Sequence, residues 1–138
     1  MVSLGENSVS DVPANFKVAV VDVQKVVANS GQVKALKEEQ KKMTQDLTKF
    51  IEAAKATLDK EKDTKKRASL ENKYNKEFQD KRKAIAKNYE TKLLEIDKNI
   101  TNTINASAKE KGYDLVLAKS AVLSGGTDIT SEISKALK

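Results

Sequence analysis

The apolar positions of this chain form two helical series, with short β-branched runs outside them. Val33, Leu36, Met43, Leu47, Phe50, Ala54 and Leu58 step by threes and fours, with Gln40 at the one skipped position. From Val33 to Ala54 the mean step is about 3.5 residues, the coiled-coil repeat. A second series runs Leu70, Tyr74, Phe78, Ile85, Tyr89, Leu93, Ile96, Ile100 and Ile104, with Arg82 at its skipped position. Its mean step is about 3.8, so that helix is expected to be straighter or to wind the other way. Residues 32–111 contain no Gly and no Pro and are rich in Lys, Glu, Ala, Leu and Gln, a composition of long helix. Between the two series, residues 59–69 carry Ala68 as their one apolar residue. A helix without an apolar stripe is either solvent-bridging or interrupted. A turn is placed around Lys62 to Lys65, with Asp63 or Thr64 capping the second helix. The two helices then fold back as an antiparallel hairpin. The alternative is one unbroken helix of roughly 120 Å, at 1.5 Å per residue.

The flanks have a different period. Phe16-Lys17-Val18-Ala19-Val20-Val21-Asp22 reads as a strand. Residues 24–30 suit a short helix, with Asn29 or Ser30 as the cap of the long helix after it. Gly112, just after Lys109 and Lys111, reads as a left-handed helix C-cap with favourable cations. Tyr113-Asp114-Leu115-Val116-Leu117-Ala118 is a second strand, Ala121-Val122-Leu123 a third, and Gly125-Gly126-Thr127 a turn. Asp128 is expected to cap a final amphipathic helix with Ile129, Ile133, Ala136 and Leu137 inward. Three strands this short cannot bury their own faces or satisfy their edges, so they are expected to pair with copies of themselves. The fold class is α+β and mostly α. A long antiparallel helical hairpin, residues 32–111, projects from a small β base, residues 16–31 and 112–138, shared between subunits. Val18, Val20, Val21, Leu115, Val116, Leu117 and Val122 are the candidate oligomerisation residues of that base. Residues 1–15 read as a polar, disordered extension, and residues 1–14 lack the basic and apolar regions of a signal peptide.

Composition sharpens this picture. Of the 138 residues, 33% are charged, 38% hydrophobic and 4% aromatic, too lean for a large globular core and consistent with a protruding hairpin. There is no Cys, His or Trp, which excludes thiol chemistry, disulfides and the metal and catalytic sites built on Cys or His. Net charge is +6 and is unevenly placed: residues 34–111 hold 21 Lys or Arg against 14 Asp or Glu. Lys60, Lys62, Lys65, Lys66 and Arg67 cluster at the expected tip of the hairpin, and Lys81, Arg82, Lys83 and Lys87 lie along its second helix. Such charges can simply solvate a long helix and support i,i+4 pairs. As a whole, the asymmetry fits arms that attract acidic chains by long-range steering. Met43, Leu47, Phe50, Leu70, Tyr74, Phe78 and Tyr89 are assigned to the seam between the helices. Ile51, beside Phe50 and off the stripe, is the candidate apolar contact for a bound chain.

Other signals are weaker. Asp59-x-Glu61-x-Asp63 mimics half a calcium loop but lacks its Gly and terminal Glu, so no metal is expected. Gly125-Gly126-Thr127 has no phosphate-loop Lys partner, and no cofactor is expected. Asn99-Ile100-Thr101 and Asn105-Ala106-Ser107 match a glycosylation pattern but fall on expected helix. No acid pair is gathered beside a nucleophile, so the chain is not read as an enzyme.

Taken together, the residues resemble the Skp/OmpH-like periplasmic chaperones over nearly the whole chain from Phe16. The most specific segments are Val18-Ala19-Val20-Val21-Asp22-Val23-Gln24-Lys25-Val26 and Gly112-Tyr113-Asp114-Leu115-Val116-Leu117. Ser120-Ala121-Val122-Leu123-Ser124-Gly125-Gly126-Thr127-Asp128-Ile129-Thr130 is similar to the family's closing segment. The resemblance implies a homotrimer with a shared β barrel and three hairpin arms around a cavity. It implies an ATP-independent holdase in the periplasm that keeps unfolded outer-membrane β-barrel proteins from aggregating. It also raises an anionic membrane surface or lipopolysaccharide as a partner, with no position here assigned to either. Two other classes remain in competition: a basic coiled coil that binds nucleic acid, which lacks an Arg and aromatic readout surface here, and a structural coiled-coil spacer. Nucleic acid is not the expected partner.

Overall fold

A computed structural model describes residues 15–137. The expected disordered extension, residues 1–15, lies outside the described residues except for Asn15. The chain divides into two compact units, one containing residues up to Gly31 together with Lys98–Lys138, the other Gln32–Asp97.

The first unit is built on a three-stranded parallel sheet. Strand β1 (Val18–Val21) is central, with β2 (Leu115–Ala118) on one side and β3 (Thr127–Asp128) on the other. Val18 lies opposite Leu115 and Val20 opposite Leu117, while Ala19 and Val20 face Thr127 and Asp128 in β3. The central strand is an unbroken apolar run, as parallel strands covered on both faces tend to be. Ala19, Val20 and Val21 are accordingly buried at 0%, 5% and 1% exposure. Helix α1 (Val23–Asn29) follows β1 after a single residue. Asp22 caps it, its Oδ1 accepting from the Lys25 N–H at 3.1 Å. Helix α4 (Thr130–Ala136) packs on α1 and supplies Ile133, which is fully buried with Val26 and Ile129. Ala136, expected inward, is exposed, and Leu137 is half-buried.

Three expectations need correction in this unit. Residues 121–123 form no strand; a 3-10 turn (Lys119–Ala121) precedes an irregular segment, and Val122 belongs to no ladder. The third strand begins instead at Thr127, inside the expected turn. The strands also need no second copy to form hydrogen bonds, because each pairs within the chain. The physical reason is a tight crossover. Residues 119–126 carry the chain back across β1 so that β3 runs parallel to β2, a connection that ordinarily takes a dozen residues or more. At its end Gly126 lies so close to β1 that a Cβ there would sit 2.5 Å from Val20 Cγ2. Only the absence of a side chain permits that approach, and the φ of +79° suits glycine as well. Finally, the N-cap of α4 is Ile129 rather than Asp128. Asp128 stands one residue earlier, where its Oδ1 accepts from the Thr130 N–H and hydroxyl.

The second unit is the antiparallel hairpin. Helix α2 (Gly31–Lys60) and helix α3 (Thr64–Glu110) are joined by residues 61–63, which excludes a single unbroken helix. Asp63 caps α3 as expected, its Oδ1 accepting from the N–H groups of Lys65 and Lys66 at 2.9 and 3.3 Å. Val33, Leu36, Ala54 and Ile96 are buried, and Met43, Leu47, Phe50, Leu70, Tyr74, Phe78 and Ile85 are half-buried. Tyr89, assigned to the seam, is instead exposed at 45%, as is Leu93 of the same apolar series at 41%. The same series is buried again at Ile96 and Ile100, so the exposure is local to Tyr89 and Leu93. At that level the half-buried positions are Asn88 and Lys92.

Helix α3 ends in the first unit. Gly112 is left-handed, with φ +76°. Its N–H donates to Lys109 O at 3.2 Å and the Tyr113 N–H to Ala108 O at 2.9 Å, the paired bonds of a Schellman cap. No helix among the described residues is long and apolar enough to cross a membrane.

Candidate functional site

The hairpin unit carries an open apolar cleft of about 370 Å³. Helix α2 contributes Phe50, Ile51, Ala54, Lys55 and Leu58; α3 contributes Tyr74, Asn75 and Phe78. These positions come together because the aromatic residues recur at i, i+4 on α3 and face Phe50 across the seam. Phe50 and Tyr74 meet edge to face, with centroids 6.0 Å apart and planes at 76°. Both rings and Leu58 line the cleft. Ile51 lines the cleft and is 44% exposed.

Cations border the aromatic surface. Lys81 Nζ lies 5.1 Å from the centroid of Phe50, and the Arg82 guanidinium 5.7 Å from that of Phe78. Both distances suit cation–π attraction. Arg82 therefore covers an aromatic face from outside instead of filling a seam position. Lys60, Lys62, Lys65, Lys66 and Arg67 are all exposed around the connector, where Arg67 pairs with Glu71 at 3.4 Å. Lys83 and Lys87 are exposed on α3. The structure thus joins Ile51, Lys81 and Arg82 to one aromatic cluster, while the connector cations form a separate group.

A second small cleft of about 190 Å³ involves Met43, Leu47, Lys81 and Ile85. It adjoins a polar layer in the seam. Lys92 Nζ donates to both carboxylate oxygens of Glu39 at 2.6 and 2.8 Å, and Asn88 Nδ2 donates to Glu39 Oε1 at 3.3 Å. The Lys92 hydrogen bond is the main reason that the Glu39 carboxyl titrates below its ordinary value. Sequence reasoning missed this layer, since Asn88 and Lys92 stand one residue before the apolar positions it followed. It also missed Lys55 and Asn75. A usable signal existed for the cleft: three of the chain's six Phe and Tyr residues lie at 50, 74 and 78.

In the sheet unit, the candidate base residues divide. Val20 and Val21 are buried within the single chain, Val18, Val116 and Val122 are half-buried, and Leu115 and Leu117 are exposed at 43% and 37%. Leu123, on the crossover, is fully exposed. At the end of the sheet, Asp128 titrates at about 2 because the Thr130 hydroxyl and N–H and then Lys119 donate to it. Among the described residues no group of three or more His, Cys, Asp or Glu could hold a metal ion.

A family model for outer membrane proteins of the OmpH-like type matches residues 17–137. No curated protein matches the chain. Among solved structures, the chain is similar to a proposed outer membrane chaperone (OmpH-like) of Caulobacter crescentus CB15. The TM-score is 0.62 at 20% identity, over 91% of this chain and 85% of that one. At that identity the likeness is one of fold.

Proposed function

We propose, on the premise that this chain belongs to the OmpH-like outer membrane protein family, that it is an ATP-independent holdase for unfolded outer-membrane proteins in the periplasm. The observation that carries this reading is the open aromatic cleft on a hairpin with excess positive charge. Capture is electrostatic and fast, through Lys60, Lys62, Lys65, Lys66 and Arg67 at the connector and Lys81, Arg82, Lys83 and Lys87 on α3. Retention is apolar, through Ile51 and the aromatic surface beside it. Weak contacts of this kind suit clients that have no fixed shape. They require no nucleotide and no catalytic step.

The chain is proposed to work as a homotrimer, residues 16–31 and 112–138 forming the base and 32–111 the arms around a shared cavity. Leu115, Leu117 and Leu123 support this, because each is an exposed leucine on a small sheet unit that a second copy can cover. The test is aggregation of a urea-unfolded outer-membrane β-barrel protein after dilution, followed by turbidity with and without this protein. The account expects suppression at about one trimer per client. Client turbidity unchanged by a threefold excess of trimer overturns it.

A further inference from the structure

We infer that the cleft between α2 and α3 is a subsite for one client side chain of defined chemistry: an aromatic or branched aliphatic residue with a carboxylate one or two residues away. This rests on the client-holding reading above and narrows it, from nonspecific adhesion to a local sequence preference.

The walls of the cleft are Phe50, Ile51, Leu58, Tyr74 and Phe78, and its volume of about 370 Å³ is at the small end of ligand sites. It has room for a single large side chain. Its charged lining residue is Lys55, and no carboxylate lines it. Among the described residues Lys55 has no ion pair, and neither the Asn75 amide nor the Tyr74 hydroxyl has a hydrogen-bond partner. Lys81 lies over the Phe50 ring but lines the neighbouring cleft, so Lys55 is the cation of this one. An apolar pocket with only cationic charge at its rim is complementary to an apolar side chain beside an acid. It repels the same side chain beside a lysine. The cleft is open to solvent, so the client backbone can pass outside it while one side chain enters.

The probe is the capped hexapeptide Gly-Ser-Asp-Phe-Ser-Gly, titrated into the full chain and followed by the methyl NMR signals of Ile51, Ala54 and Leu58. Two control peptides replace its Asp with Asn or its Phe with Ala. Shifts are expected at those three methyls. The Asn control should bind about 2- to 5-fold more weakly, the strength of one exposed ion pair. The Ala control should bind more than about 10-fold more weakly, from lost apolar burial. Lys55→Gln, an exposed substitution, should abolish the preference for Asp over Asn while leaving the Asn peptide unaffected. Equal binding of Asp and Asn peptides, or an unchanged preference in Lys55→Gln, overturns the inference. So do methyl shifts that follow protein concentration without peptide, which assign the cleft to a second copy. Binding of octanoate but not peptide assigns it to an acyl chain and overturns it equally. The holdase reading is scored separately by turbidity: if the wild type suppresses aggregation but fails the peptide test, only the subsite falls.

Discussion

Replacing Gly126 with alanine tests how the small sheet is closed. The left-handed backbone at this position, φ +79°, costs a residue with a Cβ about 1–2 kcal/mol. The added methyl would meet Val20 Cγ2 at 2.5 Å, well inside the roughly 3.5–4.0 Å of a good carbon contact. Val20 is on the central strand and 5% exposed, so it has little room to yield. Overpacking of this kind costs about 1–3 kcal/mol more. Gly125 is the internal control, with φ +91° and open space around its Cβ direction. Gly125→Ala therefore carries the backbone cost alone. The assay is hydrogen exchange at the amides of β1, which reads the sheet unit separately from the long helices. Exchange should be about 5- to 150-fold faster in Gly126→Ala than in Gly125→Ala, the fold-change equivalent of the packing term. Equal exchange in the two variants would refute the claim that the crossover is pressed against β1.

Other perturbations address the charge and the apolar surface. Client capture should slow at least several-fold between 50 mM and 0.5 M salt, because the steering charges are exposed and screened; stopped-flow rates indifferent to salt would contradict this. Leu123→Asp should leave the single chain folded, since Leu123 is fully exposed in it, yet lower the mass of the assembly in solution; an unchanged mass removes that leucine from the interface. Asp128→Asn should weaken the sheet unit at neutral pH. The folded carboxyl titrates at about 2 against an ordinary 3.8, so its contribution is present above the unfolded value and is lost as pH falls toward the folded one. The difference between wild type and variant in thermal melts should therefore shrink below about pH 4.

Local rules made much of the fold legible. Asp63 and Gly112 mark the ends of α3 because capping chemistry is encoded within a few residues. The alternation of apolar threes and fours located both long helices. What sequence could not supply was pairing. The parallel return of β3 depends on Gly126 approaching Val20, more than a hundred positions away, and Ala121-Val122-Leu123 is as strand-like in composition as the segment that does form β3. Tyr89 failed because Asn88 and Lys92 take the inward positions at that level, where the Glu39–Lys92 pair fills the seam. Ile51 was visible as an apolar residue off the stripe. The cleft it lines was not, because it takes residues from both helices, Phe50 to Leu58 and Tyr74 to Phe78, brought together only by the hairpin.

The central claim is a trimeric assembly that takes up an unfolded client. Its most direct test is mass by light scattering after size exclusion, with and without an unfolded outer-membrane β-barrel protein. The account predicts a mass near three chains alone and three chains plus one client in its presence. A monomer, or a trimer that elutes without client while the client aggregates, contradicts it.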